Sequence, residues 1–312
     1  MAVSGSLNFT KILDKIMYKI GIDLGGTKIA GTILNDEGKE VFSESERPRC
    51  QTEQEKGYGN IVEKITLLYE ELKSQIGATD HTFGICTPGA ISKKTGLLKN
   101  SNTVCLNGSP LQQDLSRKIG REVAIENDAN CFAMAEAKNY PGKVVFGVIM
   151  GTGCGGGIVV NDQVISGLQS IGGEWGHHTI YPKDGPYCYC GKRGCIETLI
   201  SGGGLENRFL EKFNAPLNVK QIFELAKKSD NYATKFVEEF YENFGIALSN
   251  LISILDPDVV ILGGGLSNIE ELYTIGREQV RKYIFSDELE TPIVKNMYGD
   301  SAGVIGAALI GK

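Results

Sequence analysis

Apolar positions repeat with two periods along this chain, and the places where the period changes mark out strands, helices and glycine turns. YKIGID at 18–23 is an apolar strand, GGTK at 25–28 turns it and IAGTIL at 29–34 returns, a hairpin whose turn exposes backbone amides. Ile61, Ile65, Leu68, Leu72 and Ile76 fall at helical spacing and predict an amphipathic helix over 60–76. FGIC at 83–86 is a short apolar strand that Pro88 and Gly89 end abruptly; ligands of α/β sheets bind at such strand ends. A polar loop with Asn100, Asn102 and Asn107 follows at 96–110, and Pro110 opens a helix through Ile119. The run 121–137 is a strand breaking into a helix at Glu126, Asn127 and Asp128.

The second half begins in the same way. KVVFGVIM at 143–150 is a buried strand, GTGCGGG at 151–157 a glycine turn and IVV at 158–160 the returning strand. Helical patterns follow at 204–213, 219–228 and 232–255, the last stopped by Asp256 and Pro257. DVVILGGGLSN at 258–268 is a strand, a glycine turn and a helix start; a helix over 269–285, a strand at 292–295 and a small-residue helix at 299–311 complete the chain. Two glycine turns, each opening one half, imply duplicated α/β domains that grip a phosphate chain from opposite sides, with the last helix swapped back onto the first domain. The expected division is 17–124 plus 299–312 for the smaller N-terminal domain and 125–298 for the larger one. Residues 1–16 stand apart as an N-terminal extension or an expression remnant before Met17.

Composition narrows the function without naming it. The 312 residues suffice for two cores, and 32 basic against 38 acidic side chains leave a formal charge of −6, so neither nucleic acid nor an anionic membrane is an expected partner. No apolar run is long enough to span a bilayer, and no signal-peptide block opens the chain. Eight cysteines without a disulfide-like framework point to the reducing cytoplasm. Forty glycines, clustered at the turns, point to close backbone approach to ligands.

Candidate chemistry is densest at 172–197. Cys188, Cys190 and Cys195 fall within eight residues, with His177 eleven positions before the first, a donor set suited to a closed, structural zinc site. Ordinary buried cysteines beside a surface histidine are the competing reading, and the single-residue spacing of Cys188 and Cys190 is tighter than a usual zinc knuckle. Glu174 and Glu197 flank these residues and could be held around a polyhydroxylated ligand. Gly25, Gly26, Thr27 and Lys28, and again Gly151, Thr152 and Gly153, are candidates to cradle phosphates, with Asp23 orienting a hydrated Mg²⁺. Gly263, Gly264 and Gly265 admit a flat adenine or a ribose, or serve only close helix-to-strand packing. Asp128, at a strand-to-helix junction, is either a general base facing a crevice or the cap of the helix.

DLGGTK at 23–28, ENDANC, GTGCGGG, GEWGH and CYCGKRGCIE together resemble the ROK family of sugar kinases and repressors, over nearly the whole chain from Met17 to Lys312. The 16 residues before Met17 are too few for the repressors' DNA-binding domain, which points to the kinase branch. Within it, KNSNTVCLNGSP, CYCGKRGCIETLISG and ILDPDVVILGGGLSN are similar to the bacterial fructokinases of the manno(fructo)kinase type, although Cys105 stands where that group carries tryptophan. The resemblance implies an actin-like ATPase fold of two RNase H-like domains around a cleft. It implies ATP and Mg²⁺ as cofactors, structural Zn²⁺, and a homodimer. It makes Asp128 the general base. Asn102, Asn127, Glu174, His177 and Glu197 then surround the sugar, with Pro88 and Gly89 beside it and His177 serving both metal and sugar. The expected reaction is ATP-dependent phosphorylation of the 6-hydroxyl of D-fructose, with mannose or glucose as further acceptors. The alternatives are an N-acetylglucosamine kinase or glucokinase of the same family, or a sugar-sensing regulator without catalysis.

Overall fold

A computed structural model describes residues 17–312; the extension at 1–16 lies outside the described residues. The first half of the chain runs β1 (Tyr18–Leu24), β2 (Lys28–Leu34), β3 (Arg49–Gln51), α1 (Tyr58–Ile76), β4 (His81–Thr87), β5 (Ala90–Ile91), β6 (Leu98–Lys99), α2 (Leu111–Ile119), β7 (Ala124–Asn127) and α3 (Asp128–Ala137). The second runs β8 (Val144–Met150), β9 (Cys154–Val160), β10 (Gln163–Val164), α4 (Ile196–Ile200), α5 (Gly202–Phe213), α6 (Val219–Lys227), α7 (Asn231–Leu255), β11 (Val259–Gly263), α8 (Ile275–Tyr283), β12 (Ile293–Lys295) and α9 (Ala302–Leu309).

Both halves build the same five-stranded sheet, in the orders β3-β2-β1-β4-β7 and β10-β9-β8-β11-β12. In each, the first three strands form an antiparallel meander, and the last two add in parallel on the far side of the first. Strand alternation assigns the faces. Ile20, Ile22 and Leu24 of β1 are fully buried in one cluster with Ile61, Ile65, Leu68 and Leu72, the helical stripe of α1. Gly21 points the other way, where a Cβ would lie 2.4 Å from Val304 O and Ala308 N of α9. In the second half Phe146, Val148 and Met150 share a core with Phe236, Phe240, Phe244 and Leu248 of α7. Asp230 caps α7 by accepting from the amides of Tyr232 (3.0 Å) and Ala233 (2.9 Å), and Asp256, in the left-handed region at φ 45°, ends it before Pro257.

The last helix of each half crosses to the other half's sheet. The first half's α3 packs on β8 and β9, the second half's α9 packs on β1, β2 and β4, and the two helices pack on each other. The small residues of α9, among them Gly303 and Gly306, let it lie flat against both.

Three boundaries differ from the sequence reading. Residues 154–157 extend β9, so the second glycine turn is confined to 151–153. The single helix over 269–285 is instead two 3₁₀ turns, at 265–268 and 270–273, followed by α8. A domain boundary at 124/125 would cut β7 from its sheet, because Ala124–Asn127 pair with Gly84–Thr87 of β4; the sheet ends at Asn127. No helix among the described residues is long and apolar enough to cross a membrane.

Candidate active site

β7 ends at Asn127, and α3 begins at once with Asp128, so two adjacent side chains compete for the helix amides. Asn127 is the N-cap: it is buried, and its Oδ1 accepts from Asn130 N at 2.7 Å. Asp128 therefore occupies the first helical position, with one oxygen accepting from Ala129 N at 2.9 Å and the rest of the carboxylate open to a cavity of about 430 Å³. Its side chain meets solvent there, yet the surrounding walls desolvate it, and burial holds its pKa above the ordinary aspartate value against the pull of the Ala129 and Asp128 amides.

Asp23 lines the same cavity from the end of β1. Its carboxyl is raised by burial and further by the Asp128 charge, while the Cys86 thiol and Lys28 draw it down. Cys86 is its register partner on β4, so parallel pairing sets the two side chains side by side. Gly264, Gly265, Lys295 and Asp300 complete much of the wall. Gly263 does not line it: that residue ends β11 against the Phe132 ring, which a Cβ would approach to 2.5 Å, so close packing accounts for it.

The two glycine turns lie at corresponding places in the two sheets. Gly25, Gly26, Thr27 and Lys28 connect β1 to β2, with Gly25 N donating to Lys28 O (2.9 Å) and Thr52 Oγ1 to Gly25 O (2.7 Å). Gly151, Thr152 and Gly153 connect β8 to β9. The carbonyls of Gly151 and Thr152 receive the amides of Gly202 (2.7 Å) and Gly203 (3.1 Å), which fixes the turn against the start of α5. Gly151 and Thr152 also open onto a larger cavity of about 890 Å³ reaching Val219 and Phe223 of α6. Gly265 and Asn268 line both cavities, so the two adjoin there.

Segment 172–197 folds back over β9. Trp175 Nε1 donates to Gly155 O (3.0 Å), and the buried indole meets Phe146 edge-on. His177, Cys188, Cys190 and Cys195 bring one ligand atom each to within 4.8 Å of all the others. Cys190 and Cys195 Sγ are 3.6 Å apart, as are Cys188 Sγ and His177 Nδ1. Ligands about 2.3 Å from a tetrahedral zinc sit about 3.8 Å from one another, so this set fits such an ion. The other ring nitrogen of His177 is engaged by Tyr189 Oη at 3.0 Å. Glu197, two residues past Cys195, turns back so that its Oε2 accepts from Cys154 N at 3.0 Å. A Cβ on Gly153 would come within 2.7 Å of that oxygen, so a larger residue there would push the Glu197 carboxylate aside. Burial raises the Glu174 carboxyl; His177 lowers it, and the charges of Asp128 and Glu197 raise it again.

The remaining candidates line neither of these cavities. Pro88 and Gly89 lead from β4 into the small β5–β6 hairpin, Gly89 at φ 85°. Asn102 is exposed, whereas Asn107 is used internally, its amide bonding both the N–H and the carbonyl of Ser101. Sequence reading missed Asn268, Lys295, Asp300 and Phe223, which come from a strand end, two 3₁₀ turns and a helix far apart along the chain and share no spacing that could have signalled them.

Comparison with known proteins places these features in a family. The ROK family model matches residues 19–312. Over 305 residues the chain is 37% identical to the N-acetyl-D-glucosamine kinase of Histophilus somni, covering 93% of this chain and 97% of that one. The ROK hexokinase of Thermus thermophilus superposes with a TM-score of 0.85 at 32% identity, covering 95% of this chain and 98% of that one. A ROK family glucokinase from Streptomyces griseus, in complex with glucose and AMPPNP, gives 0.70 at 27% identity, covering 94% and 99%. The duplicated sheets are thus an actin-like ATPase fold.

D-fructose as the principal substrate is corrected by these relatives, which across nearly the whole chain are N-acetyl-D-glucosamine kinases. The stretches that suggested fructose are three short segments, the loop before α2, the cysteine-bearing segment with α4, and β11 with its flanks, whereas the identity to the N-acetyl-D-glucosamine kinases runs over 305 residues. With one family model spanning everything from β1 to the last residue, the chain belongs to the ROK family.

Proposed function

We propose that this protein transfers the γ-phosphoryl group of ATP to the 6-hydroxyl of N-acetyl-D-glucosamine, with Asp128 as general base. The observation that carries the chemistry is the division of labour at the start of α3: Asn127 caps the helix and leaves the Asp128 carboxylate in the cleft. The acceptor is supported by the 37% identity to an N-acetyl-D-glucosamine kinase over most of both chains. Glucose is the second reading, since the Streptomyces griseus relative holds glucose and AMPPNP at 27% identity.

In this reading Asp128 accepts the hydroxyl proton as the oxygen attacks in line, and positioning supplies most of the acceleration because the transition state is loose. Asn102, Asn127, Glu174, His177 and Glu197 surround the sugar, with Pro88 and Gly89 at its edge. The 25–28 and 151–153 turns hold the phosphates, and the cavity between Gly151 and Phe223 takes the base of the nucleotide. Mg²⁺ would neutralise phosphate charge, and Asp23, whose carboxylate lines the cavity, would orient its hydration shell. Zinc at His177, Cys188, Cys190 and Cys195 would be structural, with all four positions filled by protein. With Nδ1 facing Cys188 and Nε2 on Tyr189, His177 reaches a sugar only if Tyr189 gives way. The two halves would act as closing lobes, and the family resemblance makes a homodimer the expected assembly.

A coupled ADP-release assay over N-acetylglucosamine, glucose, mannose and fructose tests the acceptor. The expected result is the highest kcat/KM for N-acetylglucosamine; a higher value for glucose would transfer the assignment to the second reading.

A further inference from the structure

β12 ends at Lys295, in register with Leu262 of β11, so this side chain stands where two parallel strands of the second sheet finish, the edge at which α/β sheets take ligands. The main chain there is held on both sides. Asn296 donates to Leu262 O from its N (2.9 Å) and its Nδ2 (3.0 Å), and its Oδ1 accepts from Gly299 N (3.0 Å). The amides of Met297 and Tyr298 donate to Glu136 of α3, a fully buried carboxylate, at 3.0 Å each. The Lys295 ammonium is held far less firmly. It meets Glu270 at 3.5 Å, with the two side chains 44% and 77% exposed. An ion pair so open to water is worth little, and a better-placed anion can take the ammonium from it.

The two members of this pair face different cavities. Lys295 is the only basic residue lining the cavity of Asp23 and Asp128, where Asp300 adds a third carboxylate. Glu270 lines the larger cavity that opens from Gly151 and Thr152. The pair therefore spans the two cavities, which adjoin at Gly265 and Asn268. The larger cavity is unsuited to phosphate. Glu206, Glu224, Glu270 and Glu271 stand on its wall against Lys220 and Lys227, and Lys227 is engaged by Glu271 at 3.4 Å. A nucleotide with its base in that cavity and its phosphates at the glycine turns must pass Lys295 and Glu270 with its ribose and first phosphate.

We propose that Lys295 is a nucleotide-binding residue that exchanges partners: in the free protein it pairs with Glu270, and in the complex its ammonium donates to the α-phosphate, leaving the Glu270 carboxylate to accept from a ribose hydroxyl. This rests on an ATP-dependent reaction with the base in the larger cavity. The exchange replaces a contact screened by water with one inside the cleft, where opposite charges attract more strongly. It also sets one cation against the three carboxylates that would repel the phosphate chain.

Calorimetric titration of AMP, ADP and ATP into the full chain tests the exchange, with adenosine as the uncharged control. Lys295→Met should weaken all three nucleotides alike, by about tenfold, the usual order for a lost charge-assisted bond, and leave adenosine affinity and hexose KM unchanged. Lys295→Arg, which keeps the charge and its donors, should recover most of the loss. Glu270→Gln frees the ammonium beforehand and should tighten AMP by about twofold in the wild-type background and not in Lys295→Met. Thermal melts establish that each variant folds; if Lys295→Met does not, the response of AMP to Glu270→Gln alone decides. Equal nucleotide affinities in wild type and Lys295→Met would overturn the proposal. So would weakening confined to ATP, which would put the ammonium on the γ-phosphate, or no tightening by Glu270→Gln, or the same tightening in both backgrounds, which would be the long-range field of Glu270 alone. Wild-type protein that binds none of the three nucleotides would instead sink the ATP-dependent reading, and the proposal with it.

Discussion

Asp128 can serve as a base because a neighbour does its structural work. Had the chain carried one polar residue at the start of α3, that residue would have been spent on the helix amides; Asn127 takes the Asn130 amide and Asp128 keeps its outer oxygen. Asp128→Asn should lower kcat by about 10²–10⁴ with little change in hexose KM, the usual span for a lost general base. Wild-type kcat should also fall on the acid side of a pKa lying above the ordinary aspartate value of 3.8, because burial favours the protonated form, and the variant should lack that limb. Full turnover in a correctly folded variant would remove Asp128 from the mechanism. Asp23 carries a different expectation. Its pKa is raised in the fold, so ionising it costs stability fully above the folded pKa and not at all below the unfolded one. Without Mg²⁺ and nucleotide, Asp23→Asn should therefore stabilise the protein at pH 7, a gain that shrinks as the pH falls through the folded pKa toward the unfolded value of about 4. Urea unfolding at the two pH values measures it, and a variant no more stable than wild type at pH 7 refutes it.

Between the residue and the molecule stands the 172–197 segment, whose parts act in series. The His177 and cysteine cluster holds the chain where Glu197 leaves it, Glu197 binds the Cys154 amide, and that bond sets the exit of the 151–153 turn. A loosened cluster should therefore be felt at the nucleotide as well as at the sugar. Cys190→Ser is expected to reduce bound zinc from about one per chain to near zero and to raise KM for both substrates, read by metal analysis and steady-state kinetics. Zinc-free wild type, purified without chelator, would show that the cluster works as four packed side chains and no more. The glycines of this region serve two ends, since Gly151 and Gly153 belong to a turn while 155–157 are strand residues under Trp175 and α3. A run of identical letters thus conceals two structures, because glycine is favoured equally by an exposed turn and by a crowded strand.

At the scale of the molecule the two halves are joined less by a linker than by an exchange of helices. Each sheet is covered on one face by the last helix of the other half, and α3 and α9 meet between them. Gly21 tests that joint, with α9 backbone 2.4 Å from where its Cβ would be. Gly21→Ala should cost about 1–3 kcal/mol or more, since backbone on both sides leaves little to yield; an unchanged denaturation midpoint would mean that α9 is free to move away. Much of this architecture was legible in one dimension. The alternation over 18–34 and 143–150, the stripe from Ile61 to Ile76 and the long pattern ending at Asp256 and Pro257 each depend on neighbours a few residues apart, and local periodicity reports such neighbours faithfully. The ordered motifs likewise carried the family, because glycine turns, the ENDANC junction and the cysteine knuckle each fold locally. The tertiary structure alone decided that Asn127 and not Asp128 is the cap, that β7 belongs to the first sheet, that Gly263 serves packing, and that Lys295 and Asp300 share a cavity with Asp23. Those outcomes turn on contacts between segments far apart along the chain, and such contacts follow from how whole sheets and crossing helices pack, about which the spacing of letters carries no information.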